Sequence, residues 1–239
     1  MGEMVEFPSN GHTSAGYLAT PSSGRGPGVI VIQEYWGLVE HIRDVCDRFA
    51  ADGFVALAPD LYHGTTVSLR EPDEAGKQLM ALQLDVAARE MLGAARWLAD
   101  SERTAGDEVG ITGFCLGGAL ALHAASLSEV FGAVVPFYPY LPYFKATGQP
   151  QTDYTRIRGA VLGHFASNDG AYTKEQVQEL ETQLRDAGLI VELFWYEGAD
   201  HAFFNDDRPE VYKPEAAQLA WDRTVAFFRT HLATTAAPV

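Results

Sequence analysis

Cys115 lies in Gly113-Phe114-Cys115-Leu116-Gly117, Asp169 in Ser167-Asn168-Asp169-Gly170, and His201 in Gly198-Ala199-Asp200-His201. A thiol attacks well only as thiolate, and at neutral pH it needs a neighbouring base or a helix N-terminus to favour that form. An imidazole can take the thiol proton and later deliver it to a leaving group. A carboxylate fixes the imidazole tautomer and stabilises imidazolium. The three residue types together point to acyl transfer through a thioester. Asp200 competes with Asp169 as the partner of His201, but adjacent side chains on a loop rarely face each other, so Asp169 is expected in that role.

These residues need elements that bring them to one place. Val109-Gly110-Ile111-Thr112 reads as a short strand before Cys115, and Ala119, Leu120, His123, Ala124 and Leu127 follow it at helical spacing. Strand, sharp turn and helix is the context of a nucleophile elbow, in which glycines leave room for a strained turn. An acyl intermediate also needs hydrogen-bond donors for its oxyanion. The expected donors are the backbone N–H of Leu116, just after the nucleophile, and that of Tyr35, in the Gln33-Glu34-Tyr35-Trp36-Gly37 turn.

The rest of the chain alternates strands and helices. Val29-Ile30-Val31-Ile32 is a continuous apolar run, as a strand buried on both faces should be. Ile42, Val45, Cys46 and Phe49 share a helix face that ends at Asp52-Gly53, with Cys46 expected in the core. Further strands are predicted at 54–58, 133–135, 160–162 and 190–196. A long helix is predicted over about 73–99, with others marked by Val177, Leu180 and Leu184 and by Trp221, Val225, Phe228 and Leu232. Pro136 to Phe144 is too proline-rich for a central strand and is expected to leave the sheet as a loop. The predicted fold is a single α/β domain over 1–239, with a mostly parallel sheet and helices on both faces. Ligands of such sheets sit at the carboxyl ends of the strands, where Cys115, Asp169 and His201 all fall.

Composition narrows the function. A net charge of −15 argues against nucleic acid and anionic membranes as partners. No apolar run approaches the ~20 residues of a membrane span. No leader-like stretch opens the chain and its two cysteines lie far apart, so the expected compartment is cytoplasmic and reducing. His12, His41, His63, His123 and His231 show no metal-ligand spacing, so no metal is expected; His164 is expected to be structural rather than pocket-lining.

These segments together resemble the dienelactone hydrolase family of α/β-hydrolases. The resemblance rests on Val31 to Leu38, Ala58 to Tyr62, Gly113 to Gly118, Asn168-Asp169, Tyr196 to Phe203, and a tail from Asn205 through Trp221. It implies the α/β-hydrolase fold, a Cys115–His201–Asp169 triad, and a small-molecule ester or lactone substrate with no cofactor. It also implies that Glu34 hydrogen-bonds the resting thiol and moves aside when substrate binds. On its residues alone, Glu34 could instead cap a helix starting near Gly37.

The sequence departs from the family where dienelactone-cleaving members hold the substrate carboxylate with an arginine shortly after the histidine. Here Phe203, Phe204, Asn205 and Asp206 stand nearby, and the first arginine comes only at Arg208; Arg70 is the candidate positive group. Trp36 is expected to line the pocket, and Tyr138, Tyr140, Tyr143, Phe203 and Phe204 to build an aromatic wall that suits an apolar or aromatic ester. Tyr138 and its aromatic neighbours serve equally well as lid packing or a dimer contact, and the chain is expected to be a monomer or homodimer. The alternatives are a thioesterase or acyltransferase with the same triad, and a non-catalytic ligand-binding scaffold.

Overall fold

The computed structural model describes residues 2–9 and 11–232. Eight strands form one sheet in the order β1-β2-β4-β3-β5-β6-β7-β8. The strands are β1 (Glu3–Ser9), β2 (His12–Ala19), β3 (Gly26–Ile32), β4 (Val55–Pro59), β5 (Thr104–Phe114), β6 (Phe131–Phe137), β7 (Ala160–Ala166) and β8 (Val191–Tyr196). β1 pairs with β2, and β2 with β4, antiparallel; every other pairing is parallel. Val29 to Ile32 are wholly buried, as their uninterrupted apolar run requires.

The helices are α1 (Glu40–Ala51), α2 (Pro72–Ala81), α3 (Leu84–Ala99), α4 (Leu116–Leu127), α5 (Tyr143–Thr147), α6 (Lys174–Asp186) and α7 (Pro214–His231). They cover both faces of the sheet. Position 28 in β3 packs toward Leu98 of α3 and Val109 of β5, whereas the next residue of β5, Gly110, packs toward Phe228 of α7. Successive strand residues point to opposite faces, so α3 and α7 lie on opposite sides. On the α7 side, Phe49 of α1 lies 4.4 Å from Trp221 and 5.9 Å from Phe228, ring to ring.

Three local expectations are corrected. The apolar stripe over 73–99 belongs to two helices, because Leu82 (ψ 122°) and Gln83 (ψ 106°) are extended and break the ladder between α2 and α3. Neither residue is a glycine or proline, so nothing local marks the break. Pro136 lies inside β6 rather than beyond it. Its missing N–H is accommodated by a gap in the ladder to β7, which pairs Val134 with Val161 and resumes at Phe137 with His164. The segment after β6 also contains the short helix α5. Finally, the sheet opens with an antiparallel β1–β2 hairpin absent from the predicted elements; in β1 only Val5 and Phe7 are apolar on the inward side, too short an alternation to stand out.

Candidate active site

Cys115 is the single residue between β5 and α4, and its backbone is held at φ 56°, ψ −115°. A non-glycine residue at positive φ costs of the order of 1–3 kcal/mol, so the surroundings must fix it. They do: Cys115 N–H donates to Phe137 O at 3.1 Å, and Cys115 O accepts from Gly118 N–H (3.1 Å) and Tyr140 N–H (2.9 Å). The flanking glycines permit the turn. A Cβ on Gly113 would lie 2.1 Å from the Gly117 carbonyl oxygen, and one on Gly117 would lie 2.5 Å from the carbonyl oxygens of Ile32 and Gln33. The thiol therefore stands at the N-terminal, positive end of a buried helix.

Asp169 and His201 follow β7 and β8. Asp169 Oδ2 lies 2.5 Å from His201 Nδ1; the carboxylate side chain is 1% exposed and the imidazole 30%. Burial pulls the imidazole toward its neutral form, but the Cys115 sulfur, once ionised, and the Asp169 carboxylate outweigh it, and His201 is raised to about 10. Asp200 is exposed and makes no such contact. The His201 loop is tied to α1 through Asp206, whose carboxylate accepts from His41 Nδ1 at 3.2 Å and from Arg48. These donors hold Asp206 well below the usual carboxylate range, His41 contributing most.

Glu34 is 2% exposed, and its Oε2 accepts from Asn205 Nδ2 at 2.8 Å. It does not cap a helix, since α1 begins only at Glu40 and Val39 is its N-cap. The β3–β5 register pairs Ile32 with Gly113. Just past that pair the two strands diverge into the Glu34-Tyr35 turn and the Cys115 elbow, and Glu34, Tyr35 and Cys115 line the same cavity. As the first residue of α4, Leu116 has an N–H that lacks an intrahelical acceptor.

Cys115, His201, Asp169 and Glu34 all line one cavity of about 500 Å³, together with Tyr35, Tyr140, Ala171, Arg208 and, from α2, Gly76, Leu79 and Met80. Of the expected aromatic wall, Tyr140 lines this cavity and the other rings lie elsewhere. Tyr138 and Phe203 are wholly buried behind His201, with Tyr138 ring-to-ring distances of 5.1 Å to His201 and 5.4 Å to Phe203. Phe204 stacks on Phe114 at 5.3 Å. Trp36 packs into a small cluster with Val67 and Ala75. Their apolar area is worth more in the core than around an open cavity. Arg70 is exposed and does not line the cavity either. Arg208 does, with its Nε 3.0 Å from the exposed Glu210.

The other candidates behave as structural groups. His164 is wholly buried; its Nδ1 pairs with the Tyr196 hydroxyl at 2.8 Å and its Nε2 with the Thr224 hydroxyl at 2.9 Å. Burial, reinforced by Arg223, lowers it to about 3, so it stays neutral. Cys46 is wholly buried, and its thiol is pushed far up by desolvation. Among the described residues no group of three or more His, Cys, Asp or Glu could hold a metal ion, and no helix is long and apolar enough to cross a membrane. Arg208 and Asn205 escaped the sequence reading, although both lie near a recognised signal, the segment just after His201.

Comparison with known proteins places this geometry in context. The model of the dienelactone hydrolase family matches residues 14–232. Protein usf of Aquifex pyrophilus is 38% identical over 242 residues, covering 97% of this chain and 100% of that one. A protein of Aquifex aeolicus provisionally named carboxymethylenebutenolidase is 36% identical, covering 97% and 100%. The crystal structure of a protein from Klebsiella pneumoniae, provisionally named a dienelactone hydrolase, superposes with a TM-score of 0.82 at 30% identity, covering 95% of this chain and 98% of that one.

Proposed function

The chain belongs to the dienelactone hydrolase family and is a hydrolase of ester or lactone carbonyls, and on that premise we propose that it works through Cys115, His201 and Asp169. The Cys115 sulfur gives its proton to His201 and attacks the carbonyl carbon, forming a C–S bond. The oxyanion takes hydrogen bonds from the N–H groups of Leu116 and Tyr35. Collapse breaks the bond to the leaving oxygen, which takes the proton from His201, and leaves a thioester on Cys115. Water then loses a proton to His201 and attacks the thioester; the acid departs and the sulfur is restored. Asp169 keeps the imidazole oriented throughout. Glu34, at the cavity wall, meets the thiol at rest.

The observation that carries this reading is the convergence of Cys115, His201, Asp169 and Glu34 on one cavity, with His201 Nδ1 2.5 Å from Asp169. Arg208 shapes the substrate class. Leu79, Met80, Tyr140 and Ala171 offer an apolar wall, and Arg208 is the lining cation among the described residues. The favoured substrate is an ester or lactone with an apolar body and a carboxylate that pairs with Arg208.

The test is hydrolysis of a dienelactone, a neutral aryl ester and an aliphatic lactone by wild type and Cys115→Ala. The expected result is cleavage of at least one by wild type and a loss of ~10³-fold or more in the variant, the scale of removing a nucleophile. Equal, slow rates in both proteins on all three substrates would return the chain to the reading of a ligand-binding scaffold.

A further inference from the structure

The loop that carries His201 also carries Asn205, which is wholly buried although it is polar. Its Nδ2 donates to Glu34 Oε2 at 2.8 Å, and its Oδ1 accepts from Asp207 N–H at 3.1 Å. One partner can only accept and the other can only donate, so the amide has a single orientation that satisfies both. The residue's backbone is fixed as well: Asn205 N–H donates to Ala202 O at 2.9 Å, and Arg208 N–H donates to Asn205 O at 3.1 Å. An amide brings a donor without a charge. It orients a carboxylate without neutralising it, as an arginine at the same place would.

We propose that Asn205 is a positioning residue that fixes the Glu34 carboxylate at the cavity wall and thereby sets the pH at which Cys115 becomes a thiolate. The inference rests on Cys115 being the nucleophile. A carboxylate close to a sulfur opposes a second negative charge there. A buried carboxylate deprived of its donor shifts toward the neutral acid, which removes that opposition. The other titratable groups facing this space are His201 and Asp169 beyond the strand ends, Tyr35 on the turn of Glu34, Tyr62 after β4, Tyr138 after β6, Tyr172 after β7, and Arg208 on the loop of Asn205. None of them is a hydrogen-bond partner of the Asn205 side chain.

The experiment measures the rate of Cys115 alkylation by iodoacetamide against pH; Cys46 is wholly buried and inert. Asn205→Ser and Asn205→Ala are made alone and with Glu34→Gln, and all variants are checked for cooperative melting. Serine keeps a short acceptor for the Asp207 N–H but does not reach Glu34. Both single variants are expected to lower the alkylation midpoint by the same ~0.5–1 pH unit, and Asn205→Ser to add nothing once Glu34→Gln is present. Two results overturn the proposal: a midpoint moved by alanine but not by serine, which is a loop effect, or shifts that add in the double variant. If alanine unfolds the protein, the serine variant and its combination with Glu34→Gln decide alone. Failure of the nucleophile assignment is read separately, as hydrolysis that survives Cys115→Ala.

Discussion

Asp169 and His201 share a 2.5 Å contact across which exposure changes sharply, from 1% for the carboxylate to 30% for the imidazole. The buried partner has little room to move, so the exposed one takes its orientation from it. The pair also sets a proton balance. His201 is raised above the ordinary imidazole value to about 10 by Cys115 and Asp169 against the pull of burial. Its favourable charge is therefore fully present below about pH 6.5 and is lost as pH rises through about 10.

Asp169→Asn should remove part of that support. The expected outcome is a kcat lower by ~10³–10⁴-fold, with the alkaline limb of the pH–rate profile moved to lower pH. A profile whose alkaline limb stays in place would mean that Asp169 does not hold the imidazolium.

Arg208→Gln should separate substrates by charge. For a carboxylate-bearing ester, KM is expected to rise ~10- to 100-fold, the scale of a lost charge-assisted hydrogen bond, while a neutral aryl ester is cleaved as before. Steady-state kinetics on the two esters is the check. Equal losses on both would show that Arg208 supports the loop rather than the ligand.

Asp206 ties the His201 loop to α1 through His41 and Arg48. Its folded-state carboxyl lies well below its ordinary value. Its contribution is thus present above about pH 4 and is lost as pH falls through and below that range. Asp206→Asn should lower Tm at neutral pH and narrow the gap to wild type on acidification. Melting curves from neutral to acid pH test this, and a gap that stays constant with pH would be incompatible with it.

Gly117→Ala should be severely damaging, as should the equally confined Gly113→Ala. At Gly117 the added Cβ meets two backbone carbonyl oxygens at 2.5 Å, and neither can turn aside as a side-chain tip does. The expected outcome is loss of soluble protein or a large drop in Tm, whereas Gly76→Ala on α2, with open space around it, should melt like wild type. Expression and melting of these variants side by side give the answer.

The parts legible in the sequence were those with local signatures. The elbow announces itself because Gly113 and Gly117 bracket Cys115 between a β-branched run and a helical spacing. Buried parallel strands such as Val29 to Ile32 read as unbroken apolar runs. What failed had no local mark. Leu82 and Gln83 are ordinary residues in a break. Pro136 is tolerated because the ladder to β7 skips it, which depends on a partner strand. Tyr138, Phe203 and Phe204 are aromatic near the site, yet composition does not say which face of a loop they take. The Asn205–Glu34 bond joins residues 171 positions apart, and pairings at that distance leave no trace in spacing.

The break between α2 and α3 has a consequence for how this enzyme can diversify. The sheet and the elbow hold the chemical groups through backbone contacts that tolerate almost no change. The roof over them is a ten-residue helix anchored by two buried side chains, Ala75 and Leu79, while its Met80 is 56% exposed. Rate and selectivity are thus written in separate stretches of the chain. Substitutions along 72–81 can repaint the surface a substrate first meets without disturbing a single atom that forms or breaks a bond.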